Sequence, residues 1–122
     1  MANPIKAKIV SVITSESAGI NGDSIFVKFD DEGKTREEDF GSPILNDDNI
    51  KMWRRLVLYV VMDEKIPEND RRISVFENYK AAIEGQDVYI AWDGNEVYAL
   101  GSEPKNMFFP HEYGLWDEPK EE

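Results

Sequence analysis

The sequence predicts an α+β protein in which an antiparallel sheet packs on one central helix. Short segments of alternating apolar and polar residues, bounded by turn signals, occur on both sides of the middle of the chain and predict the strands. The longest segment with helical periodicity lies between them, and a shorter helical segment precedes a C-terminal hairpin. A sheet curled into a small barrel is the alternative form of the same fold class.

The central helix is predicted from the segment Asn46–Lys65. The apolar residues that share one helical face are Ile50, Trp53, Val57, Val60 and Val61. The run Leu56–Met62 taken alone would also suit a buried strand, but the whole segment is too long for a typical strand. Because this run is apolar all round, we expect the second half of the helix to be buried on more than one side.

Both ends of this helix carry the signals expected of helix termini. Residues 46–49 offer several N-cap side chains, and Asp47 and Asp48 suit the positive end of the helix dipole better than they suit a metal site. Pro67 disfavours helical dihedral angles at the residue before it, so the helix should end near Lys65.

Three strands are predicted before the central helix. They cover Ile5–Thr14, Ser24–Asp30 and Lys34–Phe40. In the first strand Val10 and Val12 break the alternation, so either a β-bulge shifts the facing of the side chains or both faces are buried there. The charged side chains of the third strand suit the edge of a sheet, where they discourage pairing with another edge.

A short second helix and a hairpin are predicted in the C-terminal half. The helix covers Ile73–Glu84 and should stop at Gly85, because glycine is favoured directly after a helix. Asp87–Trp92 and Asn95–Leu100 alternate as the two strands of a hairpin, with its turn at Asp93-Gly94.

Residues 1–102 are predicted to form a single α+β domain, and residues 103–122 an acidic, aromatic-containing C-terminal tail. Prolines in the tail rule out long regular structure, whereas its aromatic residues make it too apolar for free disorder. The aromatic candidates for binding in the tail are Phe108, Phe109, Tyr113 and Trp116. Docking on the domain itself is the favoured expectation, and anchoring of a partner is the alternative.

Composition restricts the class of protein and of partner. The chain has 122 residues, 41% of them hydrophobic, which suffices for one domain with a core. It has no cysteine, no apolar run of membrane-spanning length and no signal-peptide pattern at its start, which predicts a cytoplasmic protein without a membrane partner. The net charge of −11 disfavours non-specific phosphate binding and favours a protein partner with a basic surface, although acidity alone also gives solubility. The sequence does not indicate the oligomeric state.

The sequence predicts no enzyme, no cofactor and no metal site. His111 is the only histidine, and no nucleophile motif lies near it, so a surface or packing role is expected rather than that of a catalytic base. Asp30-Asp31-Glu32-Gly33 lacks the spacing of a calcium-binding loop and is predicted to be a turn. Neither a phosphate-binding glycine loop nor a dinucleotide-binding fingerprint is present.

Aromatic residues of the last hairpin and basic residues of the helix are further candidates for binding. Tyr89 and Tyr98 are expected on the outer face of the hairpin, near Trp92 at its tip. Exposed rings on a sheet stack nucleic-acid bases, but packing of these rings against the tail or a helix is the more common arrangement. Arg54 and Arg55 belong to the one local basic cluster and would either contact phosphate or neutralise nearby acids.

Two short blocks of the sequence carry a family resemblance. The first is Ile25–Gly33 followed by Trp53–Leu56, and the second is Tyr79–Ile90 followed by Gly94–Val97. In this order they resemble small phage-encoded proteins of unknown function that are encoded beside recombination and replication genes. The resemblance covers residues 5–101 and implies an oligonucleotide-binding-like barrel that binds single-stranded DNA. The chain departs from that pattern because its sequence shows no clear basic groove.

The composition and motifs predict a non-enzymatic, acidic binding protein, and the resemblance implies that it is of phage type. It would modulate or inhibit a protein partner through its negative surface, and nucleic-acid mimicry directed against a host defence is the sharpest version of this hypothesis. The alternative is a single-stranded nucleic-acid-binding accessory protein of phage replication or recombination. An acidic tail with aromatic residues is similar to the partner-recruiting tails of single-strand binding proteins, which is compatible with that alternative.

Overall fold

The computed structural model describes residues 4–15, 19, 22–43, 47–62 and 79–115. In chain order the elements are β1 (Ile5–Ile13), β2 (Ser24–Asp31), β3 (Lys34–Gly41), α1 (Asp47–Met62), α2 (Lys80–Ile83), β4 (Asp87–Trp92), β5 (Val97–Glu103), β6 (Asn106–Phe108) and a 3-10 helix (Pro110–Tyr113). The strands form one antiparallel sheet in the order β3-β2-β1-β4-β5-β6. The predicted α+β fold class is therefore confirmed, and the sheet is open rather than closed into a barrel.

Helix α1 buries the predicted apolar face. Trp53, Val57, Val60 and Val61 are all buried, while Ile50 near the start of the helix is half-buried. Leu58 is also fully buried, as expected for a second half with apolar residues on more than one side. The competing strand interpretation of residues 56–62 is wrong, and the predicted residues 63–65 lie outside the described part of the chain. No described helix has the length and apolarity needed to cross a membrane.

Strand β1 contains the predicted irregularity, and it is a β-bulge. Ile9 pairs with Val27 and Ser11 pairs with Phe26, so Val10 is an extra residue in the ladder. The backbone N–H of Val12 just beyond the bulge donates to the carboxylate of Glu84 over 2.8 Å. The side chain that follows α2 thus satisfies a donor near the point where the ladder is interrupted.

Strands β2 and β3 form a regular hairpin at one edge of the sheet. Their register runs without a shift from Ser24 opposite Gly41 to Asp31 opposite Lys34. The two turn residues have positive φ, 52° at Glu32 and 89° at Gly33, as a two-residue hairpin of the type I′ class requires. The predicted edge position of the third strand is confirmed.

An aromatic cluster shows that the sheet curls around α1. The Trp53 ring of α1 lies 4.5 Å from the Phe40 ring of β3 and 5.5 Å from the Phe108 ring of β6. The Phe40 and Phe108 rings are themselves 6.1 Å apart. Because β3 and β6 are the two edge strands, this contact brings opposite edges of the sheet together on the side of the helix.

The C-terminal half contains one strand that the sequence does not predict. The described part of the predicted second helix is Lys80–Ile83, followed by Gly85 with a φ of 91°, and residues 73–78 lie outside the described part. The β4–β5 hairpin is confirmed, although β5 continues beyond the predicted Leu100. Strand β6, inside the predicted tail, pairs with β5 and places Phe108 in the core.

We predict that Gly101→Ala destabilises the protein by about 1–3 kcal/mol or more, the cost of overpacking a filled site. A Cβ at Gly101 would overlap the carbonyl oxygen of Asn106 and lie 2.8 Å from the Cα of Met107. Urea denaturation measures the change. Gly41→Ala is the control, since its nearest atoms would be 3.7 Å away and its φ is not positive. Equal effects of the two substitutions would contradict the close approach of β6.

Candidate binding surface

The β2–β3 hairpin concentrates negative charge at one edge of the sheet. Its acidic residues, together named the acidic edge, are Asp30, Asp31, Glu32, Glu37, Glu38 and Asp39. The hairpin has only half as many basic residues, namely Lys28, Lys34 and Arg36. Because β3 is an edge strand and the register with β2 is regular, these carboxylates form an ordered border rather than a loose cluster.

Part of this charge is compensated inside the hairpin. The Nε of Arg36 lies 2.8 Å from the Oδ2 of Asp31, and its Nη1 lies 3.7 Å from the Oε2 of Glu38. The Asp30 carboxylate accepts a hydrogen bond of 3.2 Å from the backbone N–H of Gly33, which explains that residue as part of the turn. The central acids of the loop are thus engaged with the hairpin itself.

The remaining carboxylates of β3 face solvent at a regular spacing. Glu37 and Asp39 are both exposed and project to the same face of the strand, about 6–7 Å apart. In register, Glu37 lies opposite Lys28 and Asp39 lies opposite the ring of Phe26. Glu38 projects to the other face and is half-buried. The exposed carboxylates of β3 therefore lie on one face, whereas Glu38 on the other face is near Arg36.

Arg54, a binding candidate expected either to contact phosphate or to neutralise nearby acids, forms a buried ion pair with Asp23. Its Nε donates to Oδ2 of Asp23 over 2.7 Å, and its Nη2 donates to Oδ1 over 2.9 Å. The side chains are 3% and 0% exposed. A second hydrogen bond from Nη2 reaches the Oγ of Ser15 over 3.1 Å, and the backbone N–H of Ser15 donates to Asp23.

Arg54 therefore neutralises a buried acid, which is one of the two roles expected for the basic cluster. A guanidinium 97% removed from solvent does not offer its charge to a partner. Arg55 is half-buried and Lys51 is exposed on the same helix. No feature of the sequence around Asp23 marked it as a buried partner, because it lies 31 residues from Arg54 along the chain.

Two of the aromatic candidates lie in the core. Trp92 is 7% exposed, with its ring 5.3 Å from that of Phe29 and beneath the guanidinium of Arg36 at 5.3 Å. Phe108 is 1% exposed within the cluster around Trp53. Neither ring presents a stacking surface in this conformation, so an expected tip of exposed aromatic residues at Trp92 does not form.

The other aromatic candidates lie on or near the surface. Tyr89, Tyr98 and Phe109 are half-buried, and the rings of Tyr98 and Phe109 lie 6.2 Å apart. Tyr113 is 51% exposed, with its ring 5.6 Å from that of Phe108. Trp116 lies outside the described residues. Tyr98 thus packs on the tail, whereas Tyr89 lies on β4 opposite Gly101.

Groups for catalysis or metal binding are sparse in the described residues. The ring of His111 lies 6.0 Å from that of Phe109, which is a packing contact, and His111 is half-buried. Within the ranges that the structure describes, no group of three or more histidine, aspartate or glutamate side chains is placed to hold a metal ion.

Arg54→Met should lower the free energy of unfolding by about 3–5 kcal/mol, because it leaves the Asp23 carboxylate buried without its counter-ion. Lys51→Met is the matched control, since it removes the same charge from an exposed position of the same helix and should change stability by about 0.5 kcal/mol or less. Urea denaturation followed by circular dichroism measures both. Similar losses for the two variants would show that the pair is not buried as described.

The residues can also be compared with known proteins. Comparison with models of protein families, with curated proteins and with solved structures gives no match.

Proposed function

We propose that this chain is a non-enzymatic binding protein that uses its acidic edge to attach to a basic surface of a protein partner, and so modulates or inhibits that partner. The observation that carries the proposal is the acidic edge itself, in which Glu37 and Asp39 are exposed on one face of an edge strand and Glu38 lies between them. The net charge of −11 adds long-range attraction toward a positive partner.

The edge position makes these charges effective for recognition. Exposed charges at the border of an interface increase the rate of association and disfavour partners of like charge. They add less to the final affinity. The carboxylates of this edge strand repel a second copy of the same edge and attract a basic one. The alternative is that these acids only protect the protein against aggregation. That alternative predicts no partner, so a capture experiment distinguishes it from the proposal.

Nucleic-acid mimicry is the most specific form of the proposal. Carboxylates at Glu37 and Asp39, about 6–7 Å apart on one face, give a repeating negative charge on a rigid ladder. A partner whose basic surface normally binds phosphates would meet a comparable array of acceptors here. The phage resemblance of the sequence supports a partner in the host or in phage replication.

We predict that the variant Glu37→Gln/Glu38→Gln/Asp39→Asn no longer captures its partner from a bacterial extract. Neutralising these positions removes the row of charges while it preserves side-chain size. The control variant Glu96→Gln/Glu103→Gln/Glu112→Gln changes the net charge equally at exposed positions away from the hairpin and should still capture the partner. Mass spectrometry quantifies proteins retained at about 0.15 M salt, where the Debye length is about 8 Å. Equal retention by both variants would contradict a role for the acidic edge.

Competition with double-stranded DNA tests the mimicry. DNA added to the immobilised complex should release the captured protein, because both ligands would occupy one phosphate-binding surface. A neutral polymer at the same mass concentration should release nothing. If capture depends on the acidic edge but DNA does not release the captured protein, the proposal of a basic partner stands and the proposal of mimicry is contradicted.

A further inference from the structure

The sheet face opposite α1 divides into a charged half and an apolar half. In the charged half the register aligns four side chains across the strands, in the order Glu37, Lys28, Lys8 and Asp87. The Lys8 ammonium lies 3.6 Å from a carboxylate oxygen of Asp87, and Glu37 lies directly opposite Lys28. Each of these lysines thus has an acid beside it, so this row balances its own charge.

The apolar half lies at and beyond the β-bulge of β1. Its residues, together named the apolar patch, are Val10, Ile13 and Phe26. Val10 and Ile13 are 38% and 37% exposed, and Phe26 is half-buried. The bulge sets Val10 and Ser11 across from Phe26, and Ile13 lies opposite Ser24, which places it diagonal to Phe26. Side chains in these positions are within reach of each other, so the patch is contiguous.

A carboxylate borders the apolar patch. Asp39 on β3 is exposed and lies directly opposite Phe26. A Cβ added at Gly41 would lie 3.7 Å from the Oδ2 of Asp39 and 3.7 Å from the Oγ of Ser24, so this carboxylate lies near Ser24. Ser24 is in turn opposite Ile13. Among the residues that the structure describes, Asp39 takes part in no ion pair, so its charge is available to a partner.

This combination indicates an interaction surface and restricts its occupant. Single exposed apolar side chains are common on protein surfaces, whereas contiguous ones mark interaction sites. A nucleic acid is disfavoured, because its phosphates would meet the Asp39 carboxylate. A second copy of the chain is disfavoured by the net charge of −11 that both copies carry. A partner surface that is both apolar and basic fits the patch and the acid beside it.

We propose that the apolar patch and Asp39 together bind an amphipathic basic segment of the protein partner. An apolar side chain of that segment packs on Phe26 and Ile13, while an arginine or lysine beside it pairs with Asp39. The inference rests on the proposed function, because Asp39 belongs to the acidic edge. It adds that cations alone do not suffice, since burial of apolar surface supplies affinity that exposed charges do not.

The test uses a labelled helical peptide of about 14 residues, or four turns, with leucine on one face and lysine on the other. A second peptide has glutamine in place of every leucine and carries the same charge. Fluorescence anisotropy compares them at about 0.15 M salt, where purely long-range attraction is screened. The unmodified protein should bind the leucine peptide at least about tenfold more tightly, because burial of one leucine side chain contributes that much.

A pair of variants locates the peptide on the apolar patch. Val10→Thr/Ile13→Thr keeps β-branched side chains but removes apolar groups, and it should weaken binding of the leucine peptide about fivefold or more. The control Met52→Gln/Tyr59→Gln changes two residues of α1 that are 39% and 44% exposed. Binding by this control should stay within about twofold, because contacts outside an interface carry little binding energy. Circular dichroism verifies that each variant is folded.

A second pair of variants tests the charge beside the patch. Asp39→Asn should weaken binding of the leucine peptide about threefold or more, because it removes the carboxylate that pairs with the peptide's cation. Glu112→Gln removes the same charge from an exposed position of the 3-10 helix and should leave binding unchanged. Equal binding of the two peptides, no binding of either, or equal losses within either pair of variants would overturn the proposal.

Capture from the bacterial extract separates this inference from the proposed function. If Glu37→Gln/Glu38→Gln/Asp39→Asn loses the captured partner while Val10→Thr/Ile13→Thr retains it fully, the acidic edge stands and the apolar patch is not part of the interface. If the acidic-edge variant still captures the partner, the proposed function itself is contradicted. Loss of the partner by both variants, with retention by Met52→Gln/Tyr59→Gln, supports both.

Discussion

The buried ion pair between Arg54 and Asp23 is the constraint on which the arrangement of helix and sheet depends. Removing two charges from water costs several kcal/mol per ion, and only good geometry with additional hydrogen bonds offsets that cost. Here the contact is bidentate, and Ser15 contributes a donor and an acceptor. The backbone of Asp23 is held in turn by Ser42, which accepts from its N–H and donates to its carbonyl. The pair therefore joins α1 to the segment before β2 and to the end of β3.

This junction explains how the surfaces of the molecule are distributed. With α1 fixed by Arg54, the preceding residue Trp53 reaches Phe40 and Phe108 on the two edge strands and curls the sheet. Among the described residues, the helix covers one face of the sheet, while Glu37 and Asp39 at the β2–β3 edge are exposed. The proposed binding surface, the acidic edge, lies at this exposed border of the sheet. On the same face Lys28 lies directly opposite Glu37, so part of the charge of the edge is balanced across the strands.

Patterns within one element were predictable from the sequence. The helical stripe through Trp53 and Val57, the bulge near Val10 and the edge position of the charged third strand all depend on local spacing and composition. Features that join distant segments were not predictable in this way. Strand β6 has three residues in a proline-containing tail, and its approach to β5 depends on Gly101, whose missing side chain has no periodic signal. The sequence alternates Lys6 and Lys8 with apolar residues, but only the register shows that Lys8 lies opposite Lys28 and that Lys28 lies opposite Glu37.

A double-mutant cycle of Arg54→Met and Asp23→Asn on the free energy of unfolding tests the central constraint most directly. The cycle isolates the interaction between the two side chains from the separate cost of each substitution. If the pair joins helix and sheet as described, the coupling energy should be at least about 2 kcal/mol, within the range for residues in direct contact. Substitutions that add within about 0.5 kcal/mol would contradict the account, because residues that add in this way do not share a contact.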